Sequence, residues 1–182
     1  QVCGGCAWLH VDYPTQLEAK QALLERAFRV ARLEIPLVRF SGMQKTLGYR
    51  RRARLRWVRQ KKGAVVLGFR RQRSHRVVDI VAAPRCPVLE DPLAKTVGVL
   101  QRLLAKATAR IGTQGEIRLL CSAGEVLVAL EPQAHTKRRT LYTDLVLPLL
   151  EADPVVGVEL LGRTVHGKWG ESVVALHGEI GK

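Results

Sequence analysis

From Tyr49 to Arg59 the chain alternates with a period of two. Ala53, Leu55 and Trp57 fall on one side of an extended backbone, and Arg50, Arg52, Arg54 and Arg56 on the other. This is the pattern of a half-buried strand, and it fixes one face as core and the other as wet. Four guanidiniums at intervals of about 7 Å form a ladder that can follow a phosphate backbone. The plainer reading is the solvated face of an antiparallel sheet. Four like charges in a row repel, however, and no acid close in sequence offsets them, so the polyanion reading is preferred.

The charge distribution points the same way. The 182-residue chain has a formal charge of +14. Between Ile35 and Val78 there are fourteen Lys and Arg and no Asp or Glu, whereas from Leu141 to Lys182 three basic residues face six acidic ones. A block this one-sided suits a polyanionic partner, most often nucleic acid. With 47% hydrophobic residues the chain can build a true core. No apolar run approaches the roughly 20 residues of a membrane span, and no signal peptide is visible. The only methionine is Met43, so the chain is expected to be a piece of something longer.

The flanking pattern predicts an α+β fold, an antiparallel sheet with a few packed helices. A helix is expected from about Pro14 to Leu33, with Asp12 or Tyr13 at its cap and proline in its first turn. Its apolar stripe is wide: Leu17, Leu24, Phe28 and Ala31, broadened by Leu23, Ala27 and Val30. After the arginine strand, Gln60-Lys61-Lys62-Gly63 reads as a hairpin turn, with strands from Ala64 to Arg70 and Arg76 to Ala82. A second helix is expected from Asp91 to about Ala109, then a hairpin of strands Glu116–Cys121 and Glu125–Leu130. A third helix from about Lys137 to Glu151 precedes strands at Val155–Leu161 and Val173–Leu176. No internal repeat is present.

Four cysteines without a secretion signal argue for metal or redox chemistry in a reducing compartment, here the cytoplasm. Cys3-Gly4-Gly5-Cys6 alone has four readings: half a zinc site, part of an iron–sulfur site, a redox dithiol, or an incidental pair. Cys86, at a strand end before Pro87, is a third candidate ligand. Cys121, inside an apolar strand, reads as a buried structural thiol. Trp57 belongs to the core face, so Tyr49 and Phe69, beside Arg50 and Arg70, are the better base-stacking candidates. His75 lies in a second basic turn, where it either contacts a base or is an ordinary turn residue.

Taken in order, these stretches resemble a known family. They are Cys-Gly-Gly-Cys-x-Trp-x-His-x-x-Tyr-x-x-Gln-Leu-x-x-Lys (Cys3 to Lys20), Gly48-Tyr49-Arg50-Arg51-Arg52-Ala53-Arg54-Leu55, Gly68-Phe69-Arg70, Ser74-His75-x-Val77-Val78-Asp79-Ile80 and Cys86-Pro87-Val88-Leu89. The chain resembles the bacterial RNA uracil-C5 methyltransferases, most of all the branch acting on large-subunit (23S) ribosomal RNA. The resemblance implies a [4Fe–4S] cluster with Cys3, Cys6 and Cys86 as the last three ligands of C-x5-C-G-G-C plus a distant Cys-Pro, the first ligand falling before Gln1. It implies RNA contact by the run Arg50 to Arg54, in agreement with the ladder, and the candidate RNA-binding residues are Arg50, Arg52, Arg54, Arg56, Arg70 and His75. It also implies that S-adenosylmethionine, the attacking cysteine and the base-receiving pocket belong to a catalytic domain beyond this chain.

The expected organisation is a cysteine loop and long helix over residues 1–34, the helix packing on that catalytic domain. A basic α+β RNA-binding domain over 35–135 and a helix–strand continuation over 136–182 follow. The function so implied is that of a cluster-bearing, monomeric RNA-binding domain that positions RNA, ribosomal rather than transfer, for C5 methylation of uridine. It would be inactive in methyl transfer alone. The rivals are a stand-alone basic RNA-binding module with a zinc or iron–sulfur staple, and a redox protein cycling Cys3 and Cys6.

Overall fold

A computed structural model describes residues 3–34, 40–61, 63–81, 86–107, 111–133, 138–162 and 167–171. Its centre is a seven-stranded sheet in the order β3-β2-β1-β4-β5-β6-β7. The strands are β1 (Arg52–Arg59), β2 (Val65–Arg70), β3 (Val77–Asp79), β4 (Gln114–Ser122), β5 (Glu125–Pro132), β6 (Val155–Leu160) and β7 (Gly167–Gly170). Neighbours are antiparallel except β5 and β6. That pair is parallel because a helical crossover, not a hairpin, joins them. The fold is α+β, as the alternation and helix stripes predict.

The period-two pattern of β1 becomes a core face and an open face. Ala53, Leu55 and Trp57 are buried, Arg52 and Arg54 exposed, and Arg56 half-buried. Leu67 of β2, Ile117 and Leu119 of β4, Val128 and Leu130 of β5 and Leu160 of β6 continue the buried side. Helix α2 (Asp91–Lys106) covers it with Leu93, Val97, Leu100 and Leu104. It ends where Arg59 Nη2 donates to the carbonyls of Leu104 and Ala107 at 2.6 and 2.8 Å, a cation on the orphan carbonyls of a helix C-terminus.

The crossover from β5 to β6 is a helix of mixed register: α3 (Arg138–Leu141), a wider π-helical turn (Tyr142–Val146) and α4 (Leu147–Leu150). Pro148 has no N–H for an i→i−4 bond, and the preceding turn widens so that Leu147 N donates to Tyr142 O. Leu141, Leu145, Val146 and Leu149 complete the core. The strand expected at Val173–Leu176 lies outside the described residues. β7 escapes sequence reading because Gly167-Lys168-Trp169-Gly170 has the composition of a turn.

Helix α1 (Tyr13–Val30) has the expected start, with Pro14 in its first turn and Asp12 accepting from Thr15 N at 3.0 Å. These hydrogen bonds hold the Asp12 carboxyl below its usual range. The helix stops at Val30, short of Leu33, as the chain turns into a left-handed residue at Arg32 (φ 55°). None of its residues is buried. Leu23 and Val30, with Leu33 just beyond, lie exposed, so the broad apolar stripe is not covered by the sheet.

Candidate nucleic-acid interface

The open face of the sheet carries the arginine ladder, but not as four free rungs. Register sets Arg54 of β1 opposite Arg118 of β4, and Arg56 opposite Glu116. Glu116 is 6% exposed and accepts hydrogen bonds from Arg54 Nε and from Arg118 Nε, the latter at 3.2 Å. Arg56 Nη2 stands 4.0 Å from its other oxygen, and Arg118 Nη2 reaches Glu131 at 3.1 Å. The absence of a nearby acid, inferred from local sequence, is therefore corrected. The acid comes from a strand some sixty residues away, which no local pattern reveals. Burial pushes the Glu116 carboxyl up, and the bonds from Arg54 and Arg118 more than reverse this, leaving it below its ordinary value. The same bond raises the Arg54 guanidinium.

This is a device for holding like charges together. One carboxylate shared by Arg54, Arg56 and Arg118 relieves their repulsion and fixes their planes, while their net charge stays positive. Arg52 has no ion-pair partner among the described residues and is exposed. Glu116→Gln is expected to lower stability at neutral pH by about 1–2 kcal/mol, modest because the arginines are largely solvated. The pH sign follows from the depressed carboxyl. Its contribution is complete above the unfolded value of about 4.3 and is lost as pH falls through the lower folded value. Urea midpoints at pH 7 and in acid should therefore fall further in the wild type than in Glu116→Gln; parallel losses would remove Glu116 from the account.

Arg50 leaves the ladder. Its Nη2 donates to Gly5 O at 3.2 Å and its guanidinium lies 5.5 Å from the Phe69 ring centroid, so it braces the cysteine loop instead. Arg70 ends β2 exposed, and its carbonyl accepts from Gly4 N at 3.1 Å. His75 is exposed in the β2–β3 turn beside Arg76, separate from the β1 and β4 rungs in the sheet. Trp57 is buried at 2% exposure, in the core role expected of it. Arg118 is the ladder member that sequence reading missed. It lies in Ile117-Arg118-Leu119, where alternation marks it as outward-facing but nothing marks its neighbour across the sheet.

The cysteines come from three directions. Cys3 bridges to Arg71 at the end of β2, and Gly5 N donates to Cys3 Sγ at 3.4 Å. Gly48 N and Arg50 N donate to the carbonyls of Pro87 and Val88 at 2.9 and 2.7 Å, drawing the segment after Cys86 alongside the start of β1. Burial pushes the Cys6 thiol up; Arg50 opposes this, while Cys86 and Cys3 add to it. Among the described residues, no group of three or more His, Cys, Asp or Glu is arranged to hold a metal ion. Cys121 is fully buried, its thiol pushed up to about 11 by burial and by Glu90, in keeping with a structural role.

Comparison with known proteins decides the family. The chain is 33% identical over 134 residues to the 23S rRNA (uracil(1939)-C(5))-methyltransferase RlmD of Halomonas elongata, 73% of this chain and 27% of that protein. It is 40% identical over 103 residues to the enzyme of the same name from Nitrosospira multiformis, 53% of this chain and 23% of that protein. The chain belongs to the RNA uracil-C5 methyltransferase family. A Synechocystis relative named an uncharacterized RNA methyltransferase is 39% identical over 93 residues, 50% of this chain and 19% of that protein. The chain thus spans between 19% and 27% of the length of these family members.

No protein-family model matches the chain. Its fold is similar to that of the Pyrococcus abyssi tRNA (uracil-54, C5)-methyltransferase, solved in complex with S-adenosyl-L-homocysteine. That likeness has a TM-score of 0.62 at 20% identity and covers 96% of this chain and 42% of that one. The fold of this segment therefore recurs in that solved structure. Among the described residues, no helix is long and apolar enough to cross a membrane.

Proposed function

We propose that this chain is the RNA-binding segment of an S-adenosylmethionine-dependent ribosomal RNA uracil-C5 methyltransferase. One observation carries the reading: Arg52, Arg54, Arg56 and Arg118 share the open face of a sheet whose other face is core. Such a surface positions a phosphate backbone by charge and leaves sequence choice to contacts at its edges. His75 and Arg70 are proposed as those edge contacts. Ribosomal RNA is preferred because the relatives found by sequence, at 33% and 40% identity, are named for 23S rRNA. Methyl transfer is assigned to a separate domain, against which the exposed stripe of α1 would pack. The protein is placed in the cytoplasm as a monomer.

Cys3, Cys6 and Cys86 are the residues that would hold a [4Fe–4S] cluster. Thiolates are the ligands such a group takes, and the proposal rests on that chemistry and not on the arrangement of the described residues, which form no metal-holding group. The group would act as a staple between the front loop and the segment paired with β1; addition of a cysteine to uracil and methyl transfer need no electron. Two measurements test the proposal. Binding of labelled single-stranded RNA should weaken steeply with salt, and salt-independent binding, or none, would contradict the RNA reading. Anaerobically prepared protein should contain iron and sulfide that Cys86→Ser loses; metal unaffected by that change would contradict the ligand set.

A further inference from the structure

The open face of the sheet does not stay cationic across its width. Strand register lays Arg52, Leu120, Leu127, Gly157 and Gly170 in one row from β1 to β7. The next row is Arg54, Arg118, Ala129, Glu159 and Lys168. Charge at the β1 end thus gives way to aliphatic side chains and bare backbone over β4 to β6. The wet face of a sheet is ordinarily polar, and Leu120, Leu127 and Ala129 break that rule side by side. All three are half-buried, and none belongs to the core or to the side chains packed against it.

These residues floor a trough of about 370 Å3, with Arg52 and Arg118 at one end and Glu159 and Lys168 at the other, a volume suited to one small ligand. Gly157 keeps the floor low. A Cβ there would stand 2.8 Å from Leu127 Cδ2 and closer still to Glu171 O, so glycine lets the Leu127 side chain lie over the strand. Two features select a nucleobase over an apolar side chain as the occupant. The trough opens one strand, about 4.8 Å, from Arg52, whose charge suits the backbone that carries a base. At its far end Glu159 and Lys168 stand 3.2 Å apart, an acceptor beside a donor, which a base edge can meet and an aliphatic side chain cannot.

We infer that this trough receives one unstacked base of a bound RNA strand, its ring on Leu120 and Leu127 and its edge toward Glu159 and Lys168. Apolar side chains commonly hold a base taken out of its stack. The inference rests on the RNA reading above and adds a site for the base itself, on β4 to β7, away from the arginine strand.

The test adds a short single-stranded RNA of mixed sequence, or an abasic oligomer of the same length, to methyl-labelled protein. The Leu120, Leu127 and Ala129 methyl resonances should shift with the base-bearing oligomer and not with the abasic one, while those of buried Leu55 stay in place. Ala129→Leu fills the trough from its open side. It should weaken the base-bearing oligomer about fivefold through lost apolar burial and leave the abasic oligomer unchanged. With no charge removed, the salt slope should also stay as it is. Where Ala129→Leu disturbs the fold, the wild-type methyl shifts carry the test. Trough methyls unmoved by a bound base-bearing oligomer would leave the trough to a protein segment and overturn the base site, with the RNA reading standing. Equal weakening of both oligomers by Ala129→Leu overturns it likewise. Binding of neither oligomer by the wild type overturns both.

Discussion

Alanine at both Arg52 and Arg54 is expected to weaken single-stranded RNA binding about tenfold at moderate salt and to flatten its salt dependence by about two counterions. The two residues do not contribute equally. Arg54 shares its charge with Glu116, whereas Arg52 has no ion-pair partner among the described residues and faces solvent. Arg52→Ala alone should therefore take more of the slope than Arg54→Ala alone. Arg59→Ala is the control: its guanidinium is spent on the carbonyls ending α2, so its loss should leave the slope unchanged. An Arg52→Ala/Arg54→Ala protein with the wild-type slope would remove the ladder from the RNA site.

The second large effect is on stability. Leu55 is fully buried in β1 and pairs in register with Ile117. Leu55→Ala should cost about 3–4 kcal/mol, the transfer term plus a cavity that close packing cannot collapse. That is a large part of the roughly 5–15 kcal/mol typical of a domain, and a denaturant midpoint reads it directly. A loss below about 1 kcal/mol would mean that β1 is not central to the core. The consequence reaches function, because the same strand carries the arginines. A slip of one residue between β1 and β4 would turn the arginines inward and part Arg54 and Arg56 from Glu116. Gly115 guards that register: a Cβ there would fall 2.5 Å from Trp57 Nε1 and 2.8 Å from Glu131 O.

The legible parts of this protein were those written in one stretch of chain. Alternation in Arg52–Arg59 declares both faces of β1, and the apolar stripe of α2 declares its buried side. Cys121 is legible as structural because its neighbours are apolar. What was not legible depends on partners distant in sequence. Glu116 reaches Arg54 only through strand pairing, and Arg50 leaves the ladder because the front loop offers it Gly5 O and Phe69. The parallel β5–β6 pair is hidden for a similar reason, since direction is set by the helical crossover and not by either strand. The stripe on α1 was read correctly as apolar, but periodicity names no partner for it.

The claim that one sheet face binds RNA is tested most directly by following arginine side-chain Nε–H resonances while single-stranded RNA is added. Arg52, Arg54, Arg56 and Arg118 should shift together and saturate with the binding curve, while Arg59, held on the end of α2, stays in place. Shifts confined to α1 arginines, with the four sheet-face residues unmoved, would contradict it.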